Sequence, residues 1–442
     1  MSRKIYIDCT DTILNQINTG IQRVERNIFK NSYIIQELLK INIQPTVYLK
    51  KSFFEVKKPG ESSLHDYLLK VFLHLPTLNK FRLLAISILP GFKEPINKYW
   101  KSFNKVLLFF PLMIAMIPVV FLVLMFYSMG KFKKVKFEKN DVLFISGTSW
   151  WKKQFDFTAI KEIKKSGCFL VVLIHDIFPI THSSFFPLDN EFRKNFKYVY
   201  EYADLLIMNS IYTMSQVEVH LNEIGIESKS FNLEYFKMGF DLDLVSKNEK
   251  VRDSLKKIFY QNPPYISVGT LEPRKNYNFL LDAFDKLWSN NHQNVSLCII
   301  GKYGWKADDV VERIKLHSKF NISLFWFDNL NDTELAYCYK KSKALVYPSI
   351  VEGFGLPLVE ALSLKCHVFA SDIAVFHEMG REYCTYFPLD NPQTLASYIL
   401  DHMRNGSFPV EIPPLELFSW PNWQESTEEL FKIIIEKIYH EK

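Results

Sequence analysis

Residues Tyr347-Pro-Ser-Ile-Val-Glu-Gly-Phe-Gly-Leu-Pro-Leu-Val-Glu360 contain the pattern that decides the fold of this chain. The apolar residues 344–347 predict a short buried strand, and the glycines on either side of Phe354 predict a turn. Pro357 is typical of the first turn of a helix, where its missing N–H costs nothing. Because free N–H groups and the positive end of the helix dipole converge at such a turn, the stretch predicts an anion-binding site.

Two acidic residues flank this turn. Glu352 precedes it and Glu360 follows it by about one helical turn, so both side chains can point into one crevice. One carboxylate can then accept hydrogen bonds from sugar hydroxyls and the other from ribose hydroxyls. The backbone N–H groups of Phe354, Gly355 and Leu356 can hold phosphate between them. The pattern therefore predicts a nucleotide-sugar site.

Strand-like and helix-like segments alternate through both halves of the chain, which predicts βαβ units and parallel sheets. The predicted fold class is α/β, with two doubly wound, Rossmann-like domains that meet near residues 241–256. Ligands of such sheets bind outside the carboxyl ends of the strands, so we expect the site in a crevice between the halves. The predicted buried strands are 4–7, 142–145, 169–174 and 205–208, then 265–268, 296–300, 344–347 and 367–370.

Residues 266–380 resemble the donor-binding half of the retaining family-4 glycosyltransferases, which have the GT-B fold. The resemblance rests above all on the stretch quoted first. It implies an acceptor-side domain over residues 1–245 and a nucleotide-sugar-binding domain over residues 246–415. Residues 416–442 resemble the crossover helix with which GT-B proteins return to their first domain.

The loop Gly269-Thr-Leu-Glu-Pro-Arg-Lys-Asn276 resembles the one whose basic residues bind the donor diphosphate in this family. Two adjacent cations after a strand, Arg274 and Lys275, can neutralise a departing diphosphate whatever the family. Many relatives carry an arginine where this chain has Thr270. Either Arg274 compensates for that difference or the contact to the diphosphate is weaker.

The first half of the chain resembles the family more loosely. Asn18-Thr-Gly-Ile-Gln-Arg-Val24 is similar to the glycine loop that faces the donor phosphate and the acceptor, where Gly20 would permit close backbone approach. A plain turn is the alternative. His175 ends a predicted strand, and its resemblance to the family's His-Asp segment implies contact with the donor sugar or acceptor. The alternative is a hydrogen-bonded structural histidine.

An apolar stretch interrupts the first half, within an insertion over about residues 60–140. Residues 106–129 carry no charge, and lysines flank them at 93, 98, 101 and 105 and at 131, 133, 134, 136 and 139. A stretch of 24 residues is long enough to cross a bilayer. Because the strands before and after it share one sheet, we expect a re-entrant or monotopic segment, or one paired with 83–92. The lysines would then meet anionic headgroups on the cytoplasmic side of the membrane.

These patterns predict a retaining, membrane-associated hexosyltransferase. It would move a mannose-like sugar from a nucleotide diphosphate sugar to a lipid-linked or polysaccharide acceptor. The resemblance to O-antigen and capsule mannosyltransferases favours a guanosine over a uridine donor and implies neither a metal nor a separate cofactor. We expect Glu352→Ala to abolish transfer and leave the fold intact. The predicted catalytic residues are Glu352, His175, Arg274 and Lys275, and the predicted donor-binding residues are Gly20, Phe354, Gly355, Leu356 and Glu360.

Other classes of function fit these patterns less well. The main alternative is a catalytically silent GT-B subunit that binds a nucleotide sugar or scaffolds a membrane synthase, followed by an epimerase or phosphorylase sharing the fold. No Gly-x-Gly-x-x-Gly opens either half, which disfavours a nicotinamide dehydrogenase. A net charge of +6 is mild for 442 residues, and the basic residues border an apolar stretch, which disfavours nucleic acid. Six scattered cysteines and an N-terminus without a signal-like apolar region favour a reducing, cytoplasmic location.

Overall fold

The computed structural model describes residues 3–14, 20–49, 51–56, 133–152, 155–186, 190–227, 231–241, 250–289, 294–406 and 408–439. These residues form two parallel sheets whose strands alternate with helices, so the predicted α/β class is confirmed. The strands are β1 Lys4–Asp8, β2 Asn42–Leu49, β3 Ser52–Glu55, β4 Val142–Ile145, β5 Phe169–Ile174, β6 Leu205–Met208, β7 Leu233–Tyr235, β8 Tyr265–Val268, β9 Leu297–Ile300, β10 Leu324–Phe327, β11 Leu345–Tyr347, β12 Val368–Ser371 and β13 Thr385–Phe387. The helices are α1 Thr10–Leu14, α2 Gly20–Leu39, α3 Phe157–Lys165, α4 Phe178–Thr181, α5 Asn190–Tyr202, α6 Ile211–Glu223, α7 Asp253–Gln261, α8 Tyr277–Ser289, α9 Asp308–Leu316, α10 Asp332–Lys341, α11 Leu356–Ser363, α12 Ala374–Gly380, α13 Pro392–Asn405 and α14 Trp423–Tyr439.

The first sheet has seven strands in the order β3-β2-β1-β4-β5-β6-β7. Its neighbouring strands pair in parallel, except for β2 and β3, which are antiparallel at one edge. All residues of β4 and β6 are buried, as expected of strands covered on both faces. The strand order reverses between β1 and β4, and ligands of such sheets bind at this switch point. Asp8 and Ser146 lie there.

The second sheet has six strands in the order β10-β9-β8-β11-β12-β13, and its neighbours all pair in parallel. Its switch point lies between β8 and β11. Consequently the loop that contains Lys275 and the turn that contains Glu352 leave adjacent strands at the same edge. This topology brings together two segments that are 77 residues apart in the chain.

All eight predicted strands exist, each with bounds within one residue of the prediction. The predictions missed five strands, namely β2, β3, β7, β10 and β13. Most of these are short or lie near a sheet edge, and three of them are only partly buried at most positions. Their local apolar pattern is therefore weak, and their pairing with a neighbour stabilises them.

The insertion begins and ends at one place on the first sheet. The Glu55 N–H donates to the Lys133 carbonyl at 2.9 Å, and the Val135 N–H donates to the Phe53 carbonyl at 3.0 Å. Both ends of the intervening segment therefore lie side by side next to β3. The predicted apolar segment 106–129 and its possible partner 83–92 lie outside the described residues. Among the helices that are described, none has the length and apolarity needed to span a membrane.

Helix α14 follows the second sheet but packs on the first. The Phe431 ring meets Phe144 of β4 at 6.3 Å between centroids, and the Tyr439 hydroxyl donates to the Asn140 carbonyl at 3.2 Å. Trp420, just before the helix, donates from its indole N–H to the Met238 carbonyl at 2.8 Å. These contacts tie the end of the described chain to the first half. The exact domain boundaries stay predictions, and residues 242–249 near one of them lie outside the described part.

Candidate functional site

Glu352 is at the centre of a buried network of charges at the switch point of the second sheet. Its Oε2 accepts a hydrogen bond from Arg274 at 2.6 Å, and its Oε1 accepts from Lys275. The same Oε1 also accepts from the hydroxyls of Ser349 at 2.7 Å and Tyr347 at 3.1 Å. The structure thus brings together three of the four predicted catalytic residues in one contact network.

The charges in this network are mutually compensating. Burial raises the pKa of the Glu352 carboxyl, but the positive charges of Arg274 and Lys275 outweigh burial and lower that pKa to about 2. Glu352 is 5% exposed and Lys275 is 7% exposed, so solvent screens their attraction only weakly. Arg274 also pairs with Glu272 at 2.6 Å. We conclude that Glu352 is a fixed carboxylate that holds two cations in position.

The turn after Glu352 directs backbone N–H groups toward the crevice between the two sheets. Gly355 precedes α11 with φ of +99°, a left-handed conformation that favours glycine. Within the described part of the chain, the N–H groups of Phe354, Gly355 and Leu356 donate to no protein acceptor. The Phe354 ring packs against Trp420 at 5.9 Å and anchors the turn. The arrangement is suited to binding an anion.

Glu360, in the helix that follows, is 3% exposed and already has two partners. Its Oε1 pairs with Arg23 of α2 at 2.5 Å, and its Oε2 accepts from the Tyr339 hydroxyl of α10 at 2.9 Å. Arg23 belongs to the first half of the chain and is 337 residues away in sequence. The partners of Glu352 therefore all belong to the second half of the chain, whereas Glu360 is also held by a residue of the first half.

The two predicted site residues of the first half lie opposite the turn. A Cβ on Gly20 would be 3.8 Å from the Leu356 side chain, so the start of α2 faces the start of α11. His175 is buried, and its Nε2 lies 2.9 Å from the Ser146 carbonyl oxygen. Burial lowers the pKa of this imidazole to about 4, so the ring is neutral near pH 7. The structure brings both residues to the crevice, and their contacts with substrate stay predictions.

Gly353 forms the tightest contact between the two halves. A Cβ at this position would lie 2.4 Å from the carbonyl oxygen of His175, which no side chain tolerates. The Gly353 carbonyl accepts hydrogen bonds from Ser210 at 2.6 Å and from Thr213 at 3.1 Å. Ser210 also caps α6, because its side chain accepts a hydrogen bond from the Thr213 N–H. Glycine is therefore needed here because the backbones of the two domains touch.

Sequence reasoning missed several residues of this interface. Glu378 of α12 accepts from the N–H groups of Ile211 at 2.8 Å and Tyr212 at 2.9 Å, and so satisfies the N-terminus of α6 across the domain boundary. Glu378 lies in no motif that predicts such a contact, and Arg23 lies in the loop over residues 18–24, whose resemblance points to the donor phosphate rather than to Glu360. A run of small polar residues after β6 was the available signal for Ser210, and it indicated only a helix cap.

Buried acidic residues support the first-half loops. Asp8, at the end of β1, accepts hydrogen bonds from Thr10 and Ser149, and Asp11 pairs with Lys152. Glu25 accepts from the Thr12 hydroxyl at 2.5 Å, and burial raises the pKa of its carboxyl to about 8. These contacts join the β1 and β4 loops at the switch point. Among the described residues, no group of three His, Cys, Asp or Glu side chains has the geometry of a metal site.

Two further turns have a structural explanation. The Gly301 turn packs against the Gly269 carbonyl. The turn after α11 contains Lys365. Lys365 adopts the left-handed conformation with φ of +62°, and its ammonium group donates to the Leu415 carbonyl at 2.6 Å. A lysine thus ends the helix in place of glycine.

The predicted donor-site glutamates line neither of two pockets in the described part of the chain. A pocket of about 420 Å³ lies between the loop after β8 and the start of α9, and its lining includes Glu272, Asn276 and Lys306. Neither Glu352 nor Glu360 lines it. A second cavity, beside His175, has about 10 Å³, room for roughly one water molecule. The carboxylates of Glu352 and Glu360 are buried and bonded to protein groups.

Comparisons with known proteins agree with this geometry. The family model described as Glycosyl transferases group 1 matches residues 252–412, which contain both glutamates and both cations. The serotype-specific mannosyltransferase WbdA of Escherichia coli is 32% identical over 69% of this chain and 38% of its own length. The O-antigen chain mannosyltransferase RfbU of Salmonella typhimurium is 29% identical over 39% of this chain and 46% of its own. The chain therefore spans well under half the length of the WbdA relatives it matches.

Solved structures show the same fold at low sequence identity. HepE of Anabaena, solved with UDP-glucose, superposes with a TM-score of 0.52 at 14% identity over 99% of this chain and 97% of its own. The sucrose-phosphate synthase of Thermosynechococcus elongatus superposes with a TM-score of 0.53 at 14% identity over 99% of this chain and 94% of its own. Residues 252–412 are a group 1 glycosyltransferase domain, the chain shares the GT-B fold of these solved structures, and its relatives include an O-antigen mannosyltransferase.

Proposed function

We propose that this protein is a retaining glycosyltransferase of polysaccharide assembly. It moves a hexose, with mannose favoured, from a nucleotide diphosphate sugar to a lipid-linked or polysaccharide acceptor. The observation that carries this proposal is the Glu352 network, in which one buried carboxylate fixes Arg274 and Lys275 beside three N–H groups without acceptors. Such a site is built to receive a diphosphate.

In this proposal the charge and position of each site residue give it a separate role. Arg274, Lys275 and the N–H groups at the start of α11 stabilise the charge that develops on the departing diphosphate. Glu352 orients the two cations and accepts hydrogen bonds from the donor sugar. His175, neutral and held by the Ser146 carbonyl, presents its ring to the donor sugar or the acceptor. With a leaving phosphate that takes the acceptor proton on the same face, the protein supplies orientation and charge stabilisation.

The choice of donor rests on the relatives. WbdA and RfbU are described as mannosyltransferases, which supports a mannosyl donor for this chain. HepE binds UDP-glucose, which supports a nucleotide diphosphate sugar but shares only the fold with this chain. We therefore favour a guanosine diphosphate sugar and keep the uridine form as the competing donor. We also propose that transfer needs no metal, an expectation that comes from the family resemblance.

The assay for this proposal measures nucleotide diphosphate released from a panel of nucleotide sugars, with a chelator and a bacterial lipid extract present. We expect release from one donor only, dependent on the lipid and absent without enzyme. Nucleotide binding without release for any donor and any acceptor would favour the silent subunit. A parallel assay omits the chelator. Release that occurs without the chelator and is lost when the chelator is added would contradict the metal-independent mechanism.

We propose further that the protein acts at the cytoplasmic face of the membrane through the apolar segment 106–129. Because residues 55 and 133 are hydrogen-bonded to each other, the insertion leaves and rejoins the first sheet at one point. A segment with both ends on one side of a membrane dips in and returns rather than crossing once. Exposed lysines at 133, 134, 136 and 139 lie beside this point and can meet anionic headgroups.

Limited proteolysis with vesicles tests this attachment. Vesicles with anionic phosphatidylglycerol should protect residues 106–129 from cleavage, and vesicles of phosphatidylcholine alone should protect them less. Sites in the described loop around residue 227 serve as an internal control, because they lie in a separate part of the first half. Undiminished cleavage within 106–129 on anionic vesicles would contradict the proposal.

A further inference from the structure

We assign Glu360, the second of the two carboxylates that flank the turn, to the ribose of the donor, and a residue of the other domain binds this carboxylate. Glu360 Oε1 lies 2.5 Å from Arg23, and the opposite oxygen accepts from Tyr339 at 2.9 Å. Tyr339 belongs to the same domain as Glu360, whereas Arg23 lies on α2 of the first half. We call the Arg23–Glu360 ion pair the interdomain latch.

The latch occupies the place that a ribose needs. Glu360 is 97% buried and Arg23 is 80% buried, and the guanidinium group directly contacts one oxygen of the carboxylate. On the opposite side, Tyr339 in the core holds the other oxygen. A ribose can therefore offer its hydroxyls to Glu360 from the crevice, which requires Arg23 to move.

The surroundings of Arg23 allow that movement. The negative charge of Glu360 raises the pKa of the Arg23 guanidinium, so the group stays charged whichever anion it faces. Asp332, at the start of α10, is close enough to raise the same pKa further, and it offers a second anionic partner. The start of α2 also faces the start of α11, with 3.8 Å between the Gly20 position and Leu356. A displaced Arg23 thus stays at the crevice.

We propose that Arg23 is a positioning residue that holds Glu360 in the donor-free enzyme and gives way to the ribose of the nucleotide. Donor binding then exchanges an interdomain ion pair for hydrogen bonds within one domain. The latch keeps the buried Glu360 carboxylate paired between turnovers, when an unpaired charge would be costly. It also makes the affinity for nucleotide depend on the contact between the domains. This inference rests on the proposed function.

The test compares nucleotides with and without ribose hydroxyls. GDP and UDP, and their 2′,3′-dideoxy forms, are titrated calorimetrically into the whole protein and into Arg23→Ala and Arg23→Gln variants. The Gln variant keeps the size of the side chain and covers the case in which Ala impairs folding. Lys30→Ala, at an exposed position on the same helix, is the matched control.

We expect the ratio of the dideoxy to the ribose Kd to rise in both Arg23 variants. The rise should be roughly 10- to 150-fold, the value of one hydrogen bond to a charged group. The control should match the wild-type ratio. A purely structural role would change both affinities alike and leave the ratio constant, which would overturn the proposal. A falling ratio would show that Arg23 assists the ribose contact, and it too would overturn the proposal.

Failure of the proposed function gives a different result. If the wild-type protein binds none of the four nucleotides, the site is not a nucleotide site, and no ribose displaces Arg23 from Glu360. If the wild type binds nucleotide and the ratio is the same in all variants, the proposed function stands and the role of Arg23 falls.

Discussion

Replacing Glu352 by Gln should lower kcat for sugar transfer by at least about 10³-fold, because the two cations lose the charge that fixes them against the donor diphosphate. The amide keeps the volume of the side chain and can still accept from Ser349, which lies 2.7 Å from the Glu352 Oε1. Steady-state release of nucleotide diphosphate measures the loss, and circular dichroism checks the fold. Native turnover in a folded Gln variant would contradict the assigned role.

The choice of substitution follows from the structure. We expected Glu352→Ala to leave the fold intact, but Glu352 neutralises Arg274 and Lys275 in a buried network. Neutralising one partner of a buried ion pair typically costs about 3–5 kcal/mol, and Ala would also leave a cavity, whereas Gln keeps the volume of the side chain. Glu272→Gln is the matched control, since this carboxylate pairs with Arg274 at 2.6 Å from the opposite side. It should reduce turnover far less, because Lys275 keeps its partner.

Replacing Gly353 by Ala should reduce kcat/KM by about 10²-fold or more while the protein stays folded. The added Cβ would lie 2.4 Å from the His175 carbonyl oxygen and 3.2 Å from the Asp176 Cβ. Because the first of these atoms is backbone, the conflict is relieved by moving the domains apart or the turn away. Either movement displaces Glu352 and the N–H groups of the turn relative to His175.

Turnover and small-angle scattering together measure this effect. The scattering should show a larger radius of gyration if the domains separate. Gly406→Ala is the control, because no atom lies within 4 Å of the added Cβ, although its φ of +63° makes the substitution mildly strained. The control should lower stability by about 1 kcal/mol and leave turnover unchanged. Native kcat/KM in Gly353→Ala would show that the domain contact is irrelevant to catalysis.

Much of the fold was predictable because its signals are local. Continuous apolar runs followed by turns mark the central strands, and the parallel order follows from the alternation with helices. The edge strands β3, β7, β10 and β13 were missed, since pairing with a neighbour stabilises them rather than their own residue pattern. The conformation of Lys365 was also unpredictable, because its left-handed φ is stabilised by a carbonyl 50 residues away.

The sequence by itself determined the short motifs in which the predicted donor-side residues lie. Nearby glycine and proline residues set the turns and helix starts of the short motifs that contain Glu352, Glu360, Arg274 and Lys275. The chemistry of these side chains can therefore be predicted from the local sequence. Only the tertiary structure decided which distant protein groups bind to these segments. Arg23 reaches Glu360 across 337 residues, and Ser210 reaches Gly353 across 143. Such pairings depend on how two sheets dock, and docking is the sum of many weak contacts that no local pattern records.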